Sequence, residues 1–313
     1  MRMHRPLVSV VMAAYNAEVF VSDAIHSILN QSFVDYEFII IDDGSTDGTV
    51  EIIKQIIDPR IIFLRNQANI GLTRCLNQAL SRSVGTLIAR QDADDVSLRD
   101  RLQMQVLCFE TQLDLAVVGT GAKYLDAAGD IVGNTSPIKN PLTALFEANP
   151  FIHGSIMFKK EVVVNVGGYD NFFQFGQDYD LWRRVARVAD VSIIPEYLYL
   201  FRQHLSNTRF SNGAKSSLYK LLTRKIIRGT ISDYDVAAVK KLGIDHLLTY
   251  LSRFEHASHH KALAHMLMQT GERKAAIAEY KLAFSNTPLD LKTIFNLILA
   301  YLGPSIWSLL HRW

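Results

Sequence analysis

Cysteine is nearly absent from this chain: 313 residues hold only Cys75 and Cys108. Two thiols in stretches of helical periodicity do not make a disulfide framework, and no cysteine pair has zinc-site spacing. Reduced, buried thiols in a cytosolic compartment are expected. Long apolar runs are missing as well. Nothing approaches the roughly 18 uninterrupted residues needed to cross a bilayer, and Leu7 to Ala13 is too short and too soon interrupted for a secretory signal peptide. A soluble or peripheral protein is expected. Nor does one sign of charge dominate, because 33 basic against 31 acidic residues leave +2; no overall field recommends nucleic acid as a partner.

What is present is a large apolar fraction, 49%, in a chain long enough for an enzyme-sized domain and an appendage. The first 120 residues alternate short β-branched runs with helical periodicities. Strands are expected at Val8 to Met12, Phe38 to Ile41, Ile61 to Leu64, Thr86 to Ala89 and Ala116 to Gly119; helices at Val19 to Leu29, Thr49 to Ile56, Leu72 to Ser81 and Leu98 to Phe109. Such alternation implies a parallel sheet with covering helices, binding ligands beyond the carboxyl ends of its strands.

Polar residues collect at those ends. The first strand is followed by Ala14-Tyr15-Asn16-Ala17, the second by Asp42-Asp43-Gly44-Ser45-Thr46-Asp47-Gly48, and the fourth by Arg90-Gln91-Asp92-Ala93-Asp94-Asp95. Adjacent carboxylates repel one another unless solvent, a helix dipole or a cation offsets the charge. The acidic run therefore reads either as oxygen ligands for a hard divalent cation or as a solvated turn, with Asp95 or Ser97 starting the next helix. Asp42 can accept from an imide or ribose donor, yet its loop can equally be an ordinary turn with Asp47 as N-cap.

Taken together, Val8 to Asn16, Ile41 to Asp47, Asn69-Ile70-Gly71-Leu72 and Asp92 to Asp95 resemble the family 2 glycosyltransferases over roughly residues 6 to 205. The resemblance implies an α/β fold of the GT-A (Rossmann-like) kind, with a mostly parallel sheet and flanking helices. It also implies an inverting enzyme that uses a nucleoside-diphosphate sugar, a UDP-sugar foremost, with Mn2+ or Mg2+. Ala14, Tyr15, Asn16, Asp42, Gly71, Arg74, Asp92 and Ala93 would bind the donor, with Asp42 facing the base, and Asp94 would ligate the metal. The chain would divide into a glycosyltransferase domain, 1–212, and a helical region, 213–313. Within the first, about 1–120 would form the donor half and about 121–212 the acceptor half.

A second constellation is Phe175-Gly176-Gln177-Asp178-Tyr179-Asp180-Leu181-Trp182. Displacement at an anomeric carbon needs a base at the acceptor hydroxyl, and the resemblance gives that role to Asp178. Where the family has Glu-Asp, Gln177 removes the first charge. Asp178 can also cap a helix from Tyr179 to Ala186. On the acceptor side stand His153, Gln177 and Trp182. Arg202 and His204 are expected at the diphosphate, His204 in the metal shell, with Leu205 to Gly213 as a lid. The acceptor would be a hydroxyl of a glycan or lipid-linked saccharide in cell-surface polysaccharide synthesis. A sugar nucleotidyltransferase would carry a basic, glycine-rich phosphate loop near the N-terminus, which Val10 to Ala17 lacks; a non-catalytic nucleotide-sugar-binding module would not need Asp178.

Beyond Ala214 the pattern is helical. Residues 265–288 resemble one tetratricopeptide-like hairpin, and the histidines at 256, 259, 260 and 265 read as a solvated helix face. Leu291 to Trp313 reads equally as a helix lying in a membrane interface or as one packed on the domain. The expected location is the cytoplasm or the inner face of the cytoplasmic membrane.

Overall fold

The computed structural model describes residues 5–126, 128–136, 138–203, 213–269 and 271–303. The chain forms two compact units, Met1–His204 and Leu205–Trp313.

In the first unit the strands are β1 (Val8–Ala14), β2 (Tyr36–Asp42), β3 (Ile61–Arg65), β4 (Leu87–Asp92), β5 (Val96–Ser97), β6 (Leu115–Leu125), β7 (Ile131–Asn134), β8 (Met157–Lys159) and β9 (Asp190–Arg202). The helices are α1 (Val21–Leu29), α2 (Thr49–Gln55), α3 (Leu72–Arg82), α4 (Arg101–Thr111), α5 (Pro141–Ala144), α6 (Lys160–Asn165) and α7 (Gln177–Val185). All five expected strands and four expected helices of the first 120 residues form. The strands form because β1, β2 and the first half of β4 are largely apolar and buried on both faces. Helix α1 packs because Val21, Ala24, Ile25 and Ile28 fall on one buried stripe.

The sheet runs β3-β2-β1-β4-β8-β6-β9-β5, with β7 on β6. Strands β3, β2, β1 and β4 are parallel, and the chain order reverses beside β1. That reversal opens a crevice at the carboxyl ends of β1, β2 and β4. One correction concerns the fifth expected strand. It runs in the direction of β4 but does not pair with it, because short β8 enters antiparallel between β4 and β6. One sheet thus spans residues from both expected halves. Strand β9 was not expected: Pro195 interrupts its apolar pattern, yet it pairs in parallel along β6 with shifts of register near Gly121.

A second correction concerns the helix after the acids. It begins at Arg101, not at Asp95 or Ser97, and its cap position Asp100 makes no side-chain capping bond. Val96 and Ser97 pair instead with Leu200 and Tyr199 of β9.

The second unit contains α8 (Gly213–Ile227), α9 (Asp233–Leu242), α10 (Arg253–Gln269), α11 (Arg273–Asn286) and α12 (Leu291–Leu302). Ala264, Met268, Ala276, Tyr280, Leu299 and Ala300 form a core among α10, α11 and α12. The histidines do not form a solvated face. His259 is buried, His260 Nδ1 meets Glu279 at 2.7 Å, and His265 Nε2 meets Asn296 Nδ2 at 3.0 Å. Helical periodicity placed them on α10 but said nothing of the partners that α11 and α12 bring.

Candidate active site

The loops after β1 and β2 are laced to each other. Asn16 takes a positive φ of 48°, which asparagine tolerates better than most residues. There its side-chain carbonyl accepts from Thr46 N at 2.9 Å, while its own N–H donates to Ser45 Oγ at 2.9 Å. Asn16 braces this turn, and Tyr15 beside it leaves its ring half exposed over the crevice. Ala14 is buried, and its carbonyl accepts from Asp43 N at 2.8 Å.

The two aspartates at the end of β2 have different tasks. Asp42 accepts from Ser45 N and pairs with Arg65 Nε at 3.3 Å, because Asp42 and Arg65 are register partners across β2 and β3. Asp43 Oδ1 accepts from Asn66 Nδ2 at 2.9 Å and Ile70 N at 3.0 Å, and its Oδ2 accepts from Gly71 N at 2.8 Å. Asp43 thereby shapes the 66–71 loop and the start of α3. Gly71 precedes that helix, and Arg74 is exposed in its first turn. Burial and contact with Asp43 push the Cys75 thiol far up, so this cysteine is an inert packing residue; Cys108, half-buried, is also a free thiol.

Beneath the acidic run lie two fully buried arginines, Arg90 and Arg101. Arg90 Nη2 donates to Asp92 Oδ1 at 2.6 Å. Arg101 donates to Gly154 O at 3.3 Å and lies over the Tyr199 ring at 5.6 Å, and burial lowers its pKa to about 10. The Tyr199 hydroxyl accepts from Asp92 N at 3.2 Å. Asp95 is buried and accepts from Arg202 N at 2.8 Å, so it ties the acidic loop to β9. Ala93 is buried, whereas Asp92 and Asp94 keep partial access to solvent. Burial raises the pKa of Asp92, opposed by Arg90, and raises Asp95 well above the usual carboxylate range, with Asp94 and then Asp92 adding to it.

Opposite Asp92 stands the turn His153–Ser155. A Cβ on Gly154 would lie 2.6 Å from Asp92 Oδ2 and would collide with the Tyr199 hydroxyl, so only glycine fits between them. His153 Nε2 meets Tyr169 OH at 3.0 Å, and burial, followed by the charge of Arg90, lowers its pKa well below the ordinary value. His153 is therefore neutral near pH 7. Helix α7 starts at Gln177, with Gly176 before it in the left-handed conformation at φ 68°. Asp178 is thus the second residue of the helix and not its cap. Asn149 Nδ2 donates to Asp178 Oδ2 at 2.6 Å. The approach to α7 is held by α3: Thr73 Oγ1 donates to Phe173 O at 2.7 Å and Asn77 Nδ2 to Tyr169 O at 2.7 Å.

A family model described as "Glycosyl transferase family 2" matches residues 9–168, half of the chain. The chain belongs to glycosyl transferase family 2. An uncharacterized glycosyltransferase of Methanocaldococcus jannaschii is 34% identical over 232 residues, which cover 71% of this chain and 80% of that protein. The O-antigen biosynthesis glycosyltransferase WbnJ of Escherichia coli is 33% identical over 241 residues, 72% of this chain and 93% of its own. Among solved structures, S. aureus TarS 1-349 in complex with UDP-GlcNAc superposes with a TM-score of 0.58 at 14% identity, covering 94% of this chain and 91% of that one. The mannosyltransferase PcManGT of Pyrobaculum calidifontis, in complex with GDP-Man and Mn2+, superposes at 0.56 with 16% identity, covering 99% and 88%. The fold is GT-A.

In this family 2 glycosyltransferase Tyr15, Asp42, Asp92 and Asp94 lie at or just past the carboxyl ends of the adjacent parallel strands β1, β2 and β4, and Gly71 and Arg74 lie at the start of α3. Arg202 of β9 touches the acidic loop through the backbone of Asp94. Its Nε donates to Asp94 O at 3.1 Å, and its guanidinium lies 4.6 Å from the Phe20 ring. His204 and the segment Leu205–Asn212 of the expected lid lie outside the described residues. Trp182, expected against the acceptor, is instead fully buried among Phe151, Phe158, Tyr169 and His153. The hydrophobic stripe of α7 turns it inward. Gln177 is buried as well. Sequence reasoning missed Asp43, Arg65, Arg90, Arg101 and Tyr199. Only Asp43, in the Asp-Asp-Gly turn, left a readable signal.

Among the described residues no three His, Cys, Asp or Glu side chains converge into a closed metal cage. Of this loop's carboxylates, Asp92 and Asp94 keep partial access to solvent and could meet a cation, whereas Asp95 is buried and taken up by Arg202 N. Burial and their mutual repulsion already disfavour the charged forms of Asp92 and Asp95, and a hard cation would relieve that cost.

Proposed function

We propose that this enzyme transfers a sugar, with inversion, from a nucleoside-diphosphate sugar to a hydroxyl of a glycan or lipid-linked saccharide during cell-surface polysaccharide synthesis. A UDP-sugar is the donor that the reading favours. One observation carries it: the acidic loop and the start of α7, distant in sequence, face the same buried pair, His153 and Tyr169. Asp92 adjoins Gly154 beside His153, and the Tyr169 hydroxyl, whose pKa burial raises and Arg90 lowers, is pushed further up by both Asp178 and Asp92. This shared neighbourhood supports a reading in which Asp92 serves the donor and Asp178 the acceptor of one site.

Tyr15 offers a ring face to the base, and Asp42, oriented by Ser45 N and Arg65, offers a carboxylate to the base imide. Asp92 meets the ribose, and Asp94 would hold Mn2+ or Mg2+. Such an ion offsets the charge that develops on the departing diphosphate. Asp178, held by Asn149, takes the proton of the acceptor hydroxyl as its oxygen attacks the anomeric carbon from the face opposite the leaving diphosphate. The carbon–oxygen bond to the diphosphate breaks as the new glycosidic bond forms, so the configuration inverts. Support for the donor class comes from UDP-GlcNAc and GDP-Man in the complexes of TarS and PcManGT, and support for the pathway from the O-antigen role named for WbnJ.

A panel of nucleoside-diphosphate sugars, scored for hydrolysis with and without Mn2+, tests this reading. Metal-dependent release of nucleoside diphosphate from one donor is expected. Cleavage of none, or equal cleavage in EDTA, would overturn it.

A further inference from the structure

Helix α12 buries the polar Thr293 and Asn296 beside Leu299 and Ala300, yet leaves large apolar side chains outside. Its buried side carries Thr293 and Asn296, whose polar groups are satisfied by Asp290 Oδ2 at 2.6 Å and His265 Nε2 at 3.0 Å. Its outer side carries Leu291, Phe295, Ile298 and Leu302, 79%, 52%, 52% and 58% exposed, at the i, i+4, i+7, i+11 spacing of a single stripe. Tyr301, half exposed, flanks that stripe, and Lys292 is the one charged residue within the helix. A contiguous apolar face of this kind marks a surface that is covered by something else.

The surrounding charge says by what. Fifteen of the 33 basic residues but only seven of the 31 acidic ones fall in residues 205–313, so this unit carries a surplus of eight positive charges while residues 1–204 are acidic by six. Several of those cations gather at one end of the stripe. Lys281 Nζ lies 6 Å or less from the Tyr301 ring centre, at 5.8 Å, Arg273 Nε donates to Ala300 O at 3.0 Å, and Lys274 lines a shallow cleft with Tyr301. Two copies of so basic a unit repel each other, which disfavours self-association through this face. A 12-residue helix is about 18 Å long, short of the roughly 30 Å apolar core of a bilayer. Among the described residues no helix is long and apolar enough to cross a membrane. An amphipathic helix with an aromatic and aliphatic face bordered by lysine and arginine suits the surface of an anionic bilayer.

We infer that the outer face of α12 seats the helical unit on an anionic lipid surface, with Leu291, Phe295, Ile298 and Leu302 entering the interface and Arg273, Lys274 and Lys281 meeting the headgroups. The inference does not depend on the proposed sugar transfer.

Flotation of the full chain with phosphatidylcholine vesicles, with or without about 30 mol% phosphatidylglycerol, tests it. Co-flotation with the anionic vesicles at low salt, weakened at about 0.5 M salt, is expected. Phe295→Ser with Ile298→Ser should cut partitioning by about tenfold or more, and Lys274→Glu with Lys281→Glu by a similar factor, both without change in the thermal melt because these side chains are exposed. Failure to float with either vesicle, or flotation unaffected by the Phe295 and Ile298 changes, would overturn the inference. So would a concentration-dependent oligomer that those changes dissolve in the absence of lipid binding.

Discussion

The acidic loop after β4 and the first turn of α7 both carry aspartates, but they are built in opposite ways. Asp92 to Asp95 rest on buried charge: Arg90 and Arg101 lie beneath them, Tyr199 takes the Asp92 N–H, and Asp95 is tied to Arg202. Asp178 instead stands on the first turn of a helix, behind a left-handed Gly176, with Asn149 orienting its carboxylate. Under the proposed roles, the group that would hold a donor and a cation is made rigid by a network that is costly to assemble and costly to break. The group that would accept a proton needs orientation and access to a substrate hydroxyl. Sequence alone shows two acid clusters; their supports tell them apart.

Substitutions in the supports separate the two designs. The largest effect is expected from Arg90→Met, which leaves Asp92 without its buried partner; a loss of about 3–5 kcal/mol in stability should appear in chemical denaturation. Asp178→Asn should do the reverse, lowering turnover by about a thousandfold while leaving the denaturation midpoint unchanged. If Asp178→Asn destabilised the protein as Arg90→Met does, the contrast would fail. Asn149→Ala is expected to lower kcat by about tenfold with little effect on donor affinity, since it disturbs only the orientation of Asp178.

The smallest effect concerns His153. Burial and Arg90 depress its folded pKa, so below about pH 6.5 the unfolded chain takes up a proton that the folded chain refuses. Stability from this group is full above that pH and falls as pH drops toward the folded pKa. His153→Gln should flatten that part of the stability–pH curve relative to wild type. An unchanged slope would mean that His153 is not held neutral.

Periodicity made much of this architecture legible. The five strands and four helices of residues 1–120 follow from β-branched runs and amphipathic spacing, because each of those elements buries a face that its own residues define. Strand β9 does not: Pro195 breaks its pattern, and it persists through pairing with β6, a contact that no local signal encodes. The same holds for the site. Asp42, Asp92 and Asp94 could be read from their places after strands. Arg90 and Arg101 carry no local signal of burial, and only the fold sets them beneath the acidic loop as buried supports. Trp182 failed in the other direction. Adjacent to Asp178 in helical spacing, it nevertheless points into the core, since the aromatic side chains that enclose it come from Phe151, Phe158 and Tyr169.

The central claim is that Asp94 binds the donor through a divalent cation, while Asp178 acts only on the acceptor. Calorimetric titration with the donor selected from the nucleotide-sugar panel, in Mn2+ and in EDTA, tests it on wild type, Asp94→Ala and Asp178→Asn. The account predicts that Asp178→Asn binds as tightly as wild type in Mn2+, and that Asp94→Ala binds at least about tenfold more weakly and no longer responds to the metal. Metal-responsive binding of wild-type strength by Asp94→Ala, or lost donor binding by Asp178→Asn, would contradict it.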